Sequence, residues 1–342
     1  MTKPTVHDIA KEAGVSLATV DRVLNARSGV RDQTVTRVKA AVHKLGYVRD
    51  THAANLARQR QYRFVFALPG SDDPFVKALS NALSEATEAQ QADRITARHV
   101  VIPTGDAHGI AGVLDRLDPE TVDGLAVMAP ETPQLRDAIA RLKAKGIAVV
   151  AFVSDLPNSD RDHFVGINSL KAGRTAGTLM GRFLSDAKAD ILVVTPSMLA
   201  RDSIERRLGF DAVLSEGFPT LSVLPTIETH DDPARIRTVV TAAIAAHPKL
   251  AGIYSMGTTG DPLIEAIRAS GRAKDLVMIA HDLTPLTRTG LIEGHIDAVI
   301  AQNVGHLVRS ALRVLRAKCD GTEIFEAQET IRIDIVIREN LP

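Results

Sequence analysis

The chain has 342 residues, 45% hydrophobic and 24% charged, with no Trp and one cysteine, Cys319. That length suits two or three domains, a lone cysteine excludes an intrachain disulfide framework, and no stretch approaches the roughly 20 consecutive apolar residues of a membrane span. Net charge is zero but uneven: Met1 to Arg63 holds 12 Lys and Arg against 5 Asp and Glu, and the remainder 29 against 36, giving +7 and −7.

A basic amino-terminal segment on an acidic body points to an anionic partner for that segment. The start, MTKPTVHDIAKEAGV, lacks the apolar stretch of a secretory signal. A soluble cytoplasmic protein with no membrane partner is the expectation.

Residues 1–48 read as helical. In VHDIAKEAGVSLATVDRVLN, Val6 to Asn25, the small Ala10 lets two helices approach, Gly14 takes the turn, and Val20 packs back from the second helix. Ser16 stands where an N-cap opens that helix. Ile9, Ala13, Val20, Val23 and Leu24 face a small core, and Val38, Ala41, Val42 and Leu45 supply a third helix. This is the spacing of a helix-turn-helix, whose second helix enters the DNA major groove. Leu17 and Ala18 then contact thymine methyls or read shape, and Arg22 reaches guanine bidentately. Thr5, Ser16, Thr19, Asn25 and Thr34 suit phosphate oxygens. The linker 49–61 carries Ala53, Leu56 and Ala57 on one face. It is too short to hold a helix alone and is expected to order when two copies meet on DNA, with Leu56 wedged into a base step.

After Tyr62, continuous apolar runs alternate with amphipathic stretches. Strands are expected at Phe64–Pro69, Arg98–Pro103, Leu125–Ala129, Ala148–Val153, Phe164–Ile167, Ile191–Pro196, Leu221–Ile227, Ala251–Ser255, Leu276–Ala280, Ala298–Gln302 and Ile331–Ile337. Helices such as Pro74–Ala89, Thr132–Lys145, Ala172–Leu184, Pro233–Ala246 and Pro262–Ser270 separate them. Unbroken apolar strands are those buried on both faces of a parallel sheet. The fold class is therefore an all-α helix-turn-helix headpiece (1–48) and a linker (49–61), followed by a two-lobed, doubly wound α/β domain (62–342). Lobe one is placed at about 62–163 and 295–322, lobe two at about 164–294 and 323–342.

The headpiece motif, VRDQTVTRVKAAVHKLGYV after it, and the Leu56 hinge resemble the lac repressor (LacI/GalR) family of transcription regulators. The resemblance covers the whole chain, most specifically the headpiece. It implies a homodimer on a pseudo-palindromic operator and a core similar to periplasmic sugar-binding proteins, whose effector closes the cleft and orders or releases the hinge helices. Asp21 departs from the family, which commonly has Ser there. The chain also lacks the leucine heptads that tetramerise some members, so a dimer is expected.

Ligand groups in such folds lie on loops at the carboxyl ends of strands. Asp73 and Phe75 match the family's Asn-Pro-Phe loop, with Asp for Asn. Arg206 fits its Arg-x-x-Gly-Phe pattern, and Asp282 its ligand-facing acidic position. By position alone, Asp155, Asn168 and Gln302 join them, with Glu131 and His230 as further candidates. The family's Asn-Asp after the strand at 250–254 is replaced by Ser255-Met256-Gly257. Carboxylates, amides and an arginine around one aromatic suit a sugar or polyol. Arg206 also admits a carboxylate or phosphate, which Asp73, Asp155 and Asp282 disfavour. A purine or nucleoside stacked on Phe75 is the alternative effector.

There is no GxxxxGK[ST], no strand-linked GxGxxG, no GxSxG and no HExxH. Eleven His without an HxH or HxxxH pair make no metal site. No cofactor, metal or catalytic group is expected. A transport component or an enzyme with a DNA-binding head are the competing readings; the missing signal opposes the first and the missing catalytic constellation the second.

Overall fold

The computed structural model describes residues 4–24, 28–47, 60–90, 93–184, 188–230, 232–257 and 260–342. Asn25, Leu56 and most of the 49–61 linker lie outside the described residues. The chain divides into two compact units, Met1–Arg60 and Gln61–Pro342.

The first unit holds α1 (Val6–Ala13), α2 (Leu17–Leu24) and α3 (Asp32–Leu45). Thr5 opens α1 with a capping box: its hydroxyl accepts from the Asp8 N–H, and its own N–H donates to the Asp8 carboxylate at 2.8 Å. Gly14 ends α1 at φ 63°, and the next N–H, from Val15, donates back to the Ala10 carbonyl at 3.1 Å. This is the six-residue closure that a left-handed glycine permits. Gly46 repeats it after α3, with Tyr47 N–H to the Val42 carbonyl. The Ser16 hydroxyl accepts from the Thr19 N–H at 3.2 Å and so caps α2. Ile9, Ala13, Val20, Val38 and Ala41 form the core. Burying a side chain the size of Ile9 or Val20 contributes about 1.5–3 kcal/mol.

The second unit begins with β1 (Tyr62–Pro69), α4 (Pro74–Ala89), β2 (Ile95–Ile102), α5 (Ala107–Asp115), β3 (Gly124–Val127), α6 (Pro133–Ala144), β4 (Ala148–Phe152) and β5 (His163–Val165). These strands form a parallel sheet ordered β2-β1-β3-β4-β5. The chain then crosses to α7 (Ser169–Phe183), β6 (Ala189–Thr195), α8 (Arg201–Gly217), β7 (Leu221–Val223), β8 (Ile227–Glu228), α9 (Pro233–Ala246), β9 (Leu250–Ser255), α10 (Gly260–Ala269), β10 (Val277–His281), α11 (Pro285–Glu293) and β11 (Ala298–Ala301). Helix α12 (Val304–Asp320) returns to the first lobe, and α13 (Glu326–Glu329) leads to β12 (Asp334–Val336) in the second. The second sheet is ordered β12-β11-β10-β9-β6-β7, with β8 also on β6, and only β12 runs antiparallel.

Two expectations are corrected. The run Leu221–Ile227 is two strands, because Pro225 supplies no N–H to a ladder and divides it. Residues 298–301, assigned to lobe one, belong to the second sheet: Ile279, Ala280 and His281 of β10 pair with Ala298, Val299 and Ile300. The crossover therefore falls after Ala301. Hydrophobicity marks a buried strand but not which of two sheets takes it.

One apolar cluster includes Phe66, Phe75 and Phe152 of the first lobe, Phe210, Tyr254 and Ile300 of the second, and the buried face of α12. The core is thus continuous across both lobes beneath the carboxyl ends of the strands.

Candidate effector site

The strand ends of the first lobe carry polar groups already engaged nearby. Asp73 is the N-cap of α4, its carboxylate accepting from the Phe75 N–H at 2.8 Å. Phe75 itself is buried in the shared apolar cluster. After β3, Glu131 accepts from the backbone and side-chain amides of Asn158 at 2.9 and 3.1 Å. After β4, Asp155 is held bidentately by Arg161 at 2.5 and 2.9 Å. Asn168 is exposed at the first crossover and caps α7 by accepting from the Lys171 N–H at 2.8 Å.

In the second lobe the balance differs. Arg206, on α8, is only 4% exposed. One Nη donates to the Met256 carbonyl at 2.5 Å, and Asp202, one turn earlier, lies 3.6 Å away. Its Nε has no partner among the described residues. Asp282 ends β10 and Gln302 follows β11; both are buried, and the Gln302 amide donates to the Asp282 carboxylate at 3.1 Å. The Gln302 carbonyl oxygen has no partner among the described residues. Burial pushes the Asp282 carboxyl up to about 6, against the opposing pull of Arg206 and the Gln302 hydrogen bond. Asp73 and Asp202 push it the same way as burial, so the two lobes are within electrostatic reach of each other.

Beneath this cluster, His281 is fully buried beside Tyr254, whose hydroxyl lies 2.7 Å from Nε2. Burial holds His281 well below the usual imidazole range and raises the Tyr254 phenol. Tyr254 stacks on Phe210 with ring centroids 4.4 Å apart. The pair forms an uncharged floor. His230 is exposed, with its backbone N–H donating to the Pro196 carbonyl at 2.9 Å.

Asp202 and Ser154 carry a role the sequence reading did not assign. The Ser154 hydroxyl, after β4, donates across the cleft to the Asp202 carboxylate at 3.1 Å. Asp202 occupies the first turn of α8, where the helix dipole favours a carboxylate. Its placement four residues before Arg206 was the available signal. Backbone strain gathers at the same edge. Val153 (φ 66°) and Asp282 (φ 61°) directly follow strand ends, and His230 (φ 55°) lies two residues after β8, all three at positive φ. For Val153, a β-branched residue, this is an outlier. The Ser154 N–H donates to the Phe152 carbonyl at 2.8 Å across it, a three-residue turn that aims Ser154 at Asp202. Strain of this kind is concentrated at ligand clamps.

Arg206, Asp282 and Gln302 thus form one buried, incompletely satisfied polar cluster, with the half-buried Asp202 beside Arg206 and Ser154 and Asp73 facing it from the other lobe. Among the described residues no group of His, Cys, Asp and Glu could hold a metal ion, and no helix is long and apolar enough to cross a membrane.

In the headpiece, Leu17, Ala18 and Arg22 are exposed on α2, and Thr34 is half-buried in the first turn of α3. Thr5 and Ser16 serve as caps, with Ser16 also 2.9 Å from the Thr19 hydroxyl. Their hydroxyls therefore set the first turns of α1 and α2.

Residues 5–50 match the family described as bacterial regulatory proteins, lacI family, and residues 64–323 match the periplasmic binding protein domain. Among curated relatives, the transcriptional regulator DegA of Bacillus subtilis is 26% identical over 176 residues, 51% of this chain and 50% of DegA. The maltose regulon regulatory protein MalI of Vibrio furnissii is 36% identical over 88 residues, 26% of this chain and 64% of MalI. The alignments thus span about half to two thirds of these relatives. A solute-binding protein of an ABC transporter from Burkholderia graminis, solved with D-arabinose, is similar with a TM-score of 0.74 and 25% identity, over 82% of this chain and 96% of that one. With both segments matched in this order, the protein belongs to the lacI family of bacterial regulatory proteins, its large domain being a periplasmic binding protein domain.

Proposed function

We propose that the protein is a transcription regulator whose DNA binding responds to a small effector held between the lobes, with a sugar or polyol as the effector. The observation that carries the effector reading is the unused hydrogen-bonding capacity of the buried cluster. Among the described residues, Arg206 has a free donor, Gln302 a free acceptor, and Asp282 accepts a single side-chain hydrogen bond, from Gln302. Burying such groups unmet costs about 1–3 kcal/mol each, and vicinal hydroxyls meet donor and acceptor together. One arginine among Asp73, Asp202 and Asp282 disfavours a phosphorylated ligand. The headpiece supports the DNA reading: α2 offers Leu17, Ala18 and Arg22 to a major groove. Two copies on a palindromic operator, with Leu56 and Asn25 contributing, complete the reading.

Thermal-shift screening against pentoses, hexoses, polyols, sugar acids, sugar phosphates and purines tests the sensor. An effector at 100 times its Kd adds about 2.7 kcal/mol. A shift with a free sugar or polyol supports the reading; a shift only with phosphorylated sugars or purines overturns the effector class and keeps the regulator. For the DNA side, Arg22→Ala is expected to abolish specific operator binding with effector affinity intact. Equal loss of both would mark a folding defect, and specific operator binding that survives the substitution would refute the assignment.

A further inference from the structure

Helices α7 and α8 meet more closely than side chains allow. A Cβ built on Gly173 of α7 would lie 2.0 Å from the Arg206 carbonyl oxygen and 2.7 Å from its Cα. One built on Gly209 of α8 would lie 2.1 Å from the Leu170 carbonyl oxygen. In both cases the obstacle is backbone, which cannot swing aside. Glycine is disfavoured within helices, yet both of these stand in helix interiors, at the turn of α8 that presents Arg206.

We infer that Gly173 and Gly209 are positioning residues for Arg206, their missing side chains letting the two helix backbones touch so that the guanidinium reaches the strand ends. The inference rests on reading Arg206 as an effector contact. The distances carry it. An alanine at position 173 forces α8 back by about 1.4 Å before ordinary contact is restored. The 2.5 Å bond from Arg206 to the Met256 carbonyl then stretches to the limit of hydrogen bonding. Asp202 travels on the same turn, so its 3.1 Å bond from Ser154 lengthens as well. The two groups of α8 that meet the cleft are withdrawn together. The glycines are graded in this respect. At Gly177 an added Cβ would lie 3.0 Å from the Phe210 carbonyl oxygen, a milder obstruction, and at Gly181 it would meet only the Phe218 ring.

The test uses the full-length protein and needs no effector. The groups acting on Asp282 are Arg206 and Asp202 from α8, Gln302 after β11, and Asp73 at the start of α4. His281 precedes it in the chain. Arg206 favours the ionised carboxylate, so withdrawing it raises the Asp282 midpoint. The midpoint is read by carbon NMR of aspartate-labelled protein, assigned with Asp282→Asn. In Gly173→Ala it is expected to rise by about half a pH unit or more, with circular dichroism unchanged. Gly181→Ala is expected to leave it in place. A folded Gly173→Ala protein with the wild-type midpoint overturns the inference. Should Gly173→Ala not fold, Gly177→Ala carries the test: a smaller rise is expected, and no rise overturns it. The effector reading is judged separately, because a midpoint that moves in a protein no sugar or polyol stabilises would uphold the positioning and sink the ligand.

Discussion

The two lobes present similar polar side chains at their strand ends and use them differently. In lobe one, Asp73 caps a helix, Glu131 grips Asn158 and Asp155 grips Arg161. In lobe two, Arg206 and Gln302 are more deeply buried and keep atoms without partners among the described residues. Buried polar atoms in folded proteins are almost always paired. A strand-end carboxylate is therefore weak evidence of a ligand contact, whereas a buried group with unused hydrogen bonds is strong evidence. On the proposed function, lobe two would read the effector and lobe one would act as a scaffold that reaches it through Ser154.

That division can be broken most directly at Arg206. Arg206→Ala is expected to weaken effector binding about 100-fold or more, the scale of a lost charged hydrogen-bond partner, while operator binding persists. Calorimetry with the effector found by screening decides it, and a normal affinity would end the assignment.

The next effect is a pH dependence confined to lobe two. Burial pushes the folded Asp282 carboxyl up to about 6, from the 3.8 of an ordinary aspartate. Its ionisation thus costs stability above pH 6, a cost relieved as pH falls through 6 and gone below 3.8. His281 acts oppositely, because its folded value is depressed: its stability is present above 6.5 and lost as pH falls below it. Asp282→Asn removes the first and leaves the second. The variant is expected to exceed the wild type in Tm at pH 8, with the gap shrinking steadily towards pH 4. A gap that does not change with pH would show that Asp282 is not charged and buried as described.

The smallest effect is expected in lobe one. Asp155→Ala removes a pair with Arg161 that is about three-quarters buried, costing about 1 kcal/mol of stability. It should change effector affinity less than about threefold. A loss matching that of Arg206→Ala would erase the distinction between the lobes.

How much was legible in the sequence follows the range of the interaction. Gly14, Ser16 and the helices of the headpiece obey local rules, and the structure has them as the spacing implies. The alternation of strands and helices was equally readable. The sheet that takes β11 was not, since it depends on pairing with β10, about 20 residues away. At the site, Arg206, Asp282 and Gln302 were reachable from strand ends and from the resemblance. Ser154 was not, because a serine in a turn has an ordinary local explanation, and Asp202 offered only its spacing four residues before Arg206, which an aspartate in a first helical turn also explains locally. Ser154 and Asp202 meet from 48 residues apart in sequence. Val153 in the left-handed region contradicts every local preference of valine, so no reading of the residue itself could place it there.

The path of α12 bears on how the chain is made. The headpiece closes its core by Tyr47 and has all of its packing residues early in synthesis. Lobe one does not. Its strands are finished at Val165, yet Leu307, Val308, Leu312 and Leu315, which complete its core, belong to a helix that ends at Asp320. At about 5–20 residues per second, translation leaves that apolar face uncovered for on the order of ten seconds or more. A nascent chain of this design has its headpiece complete while lobe one still exposes an apolar face.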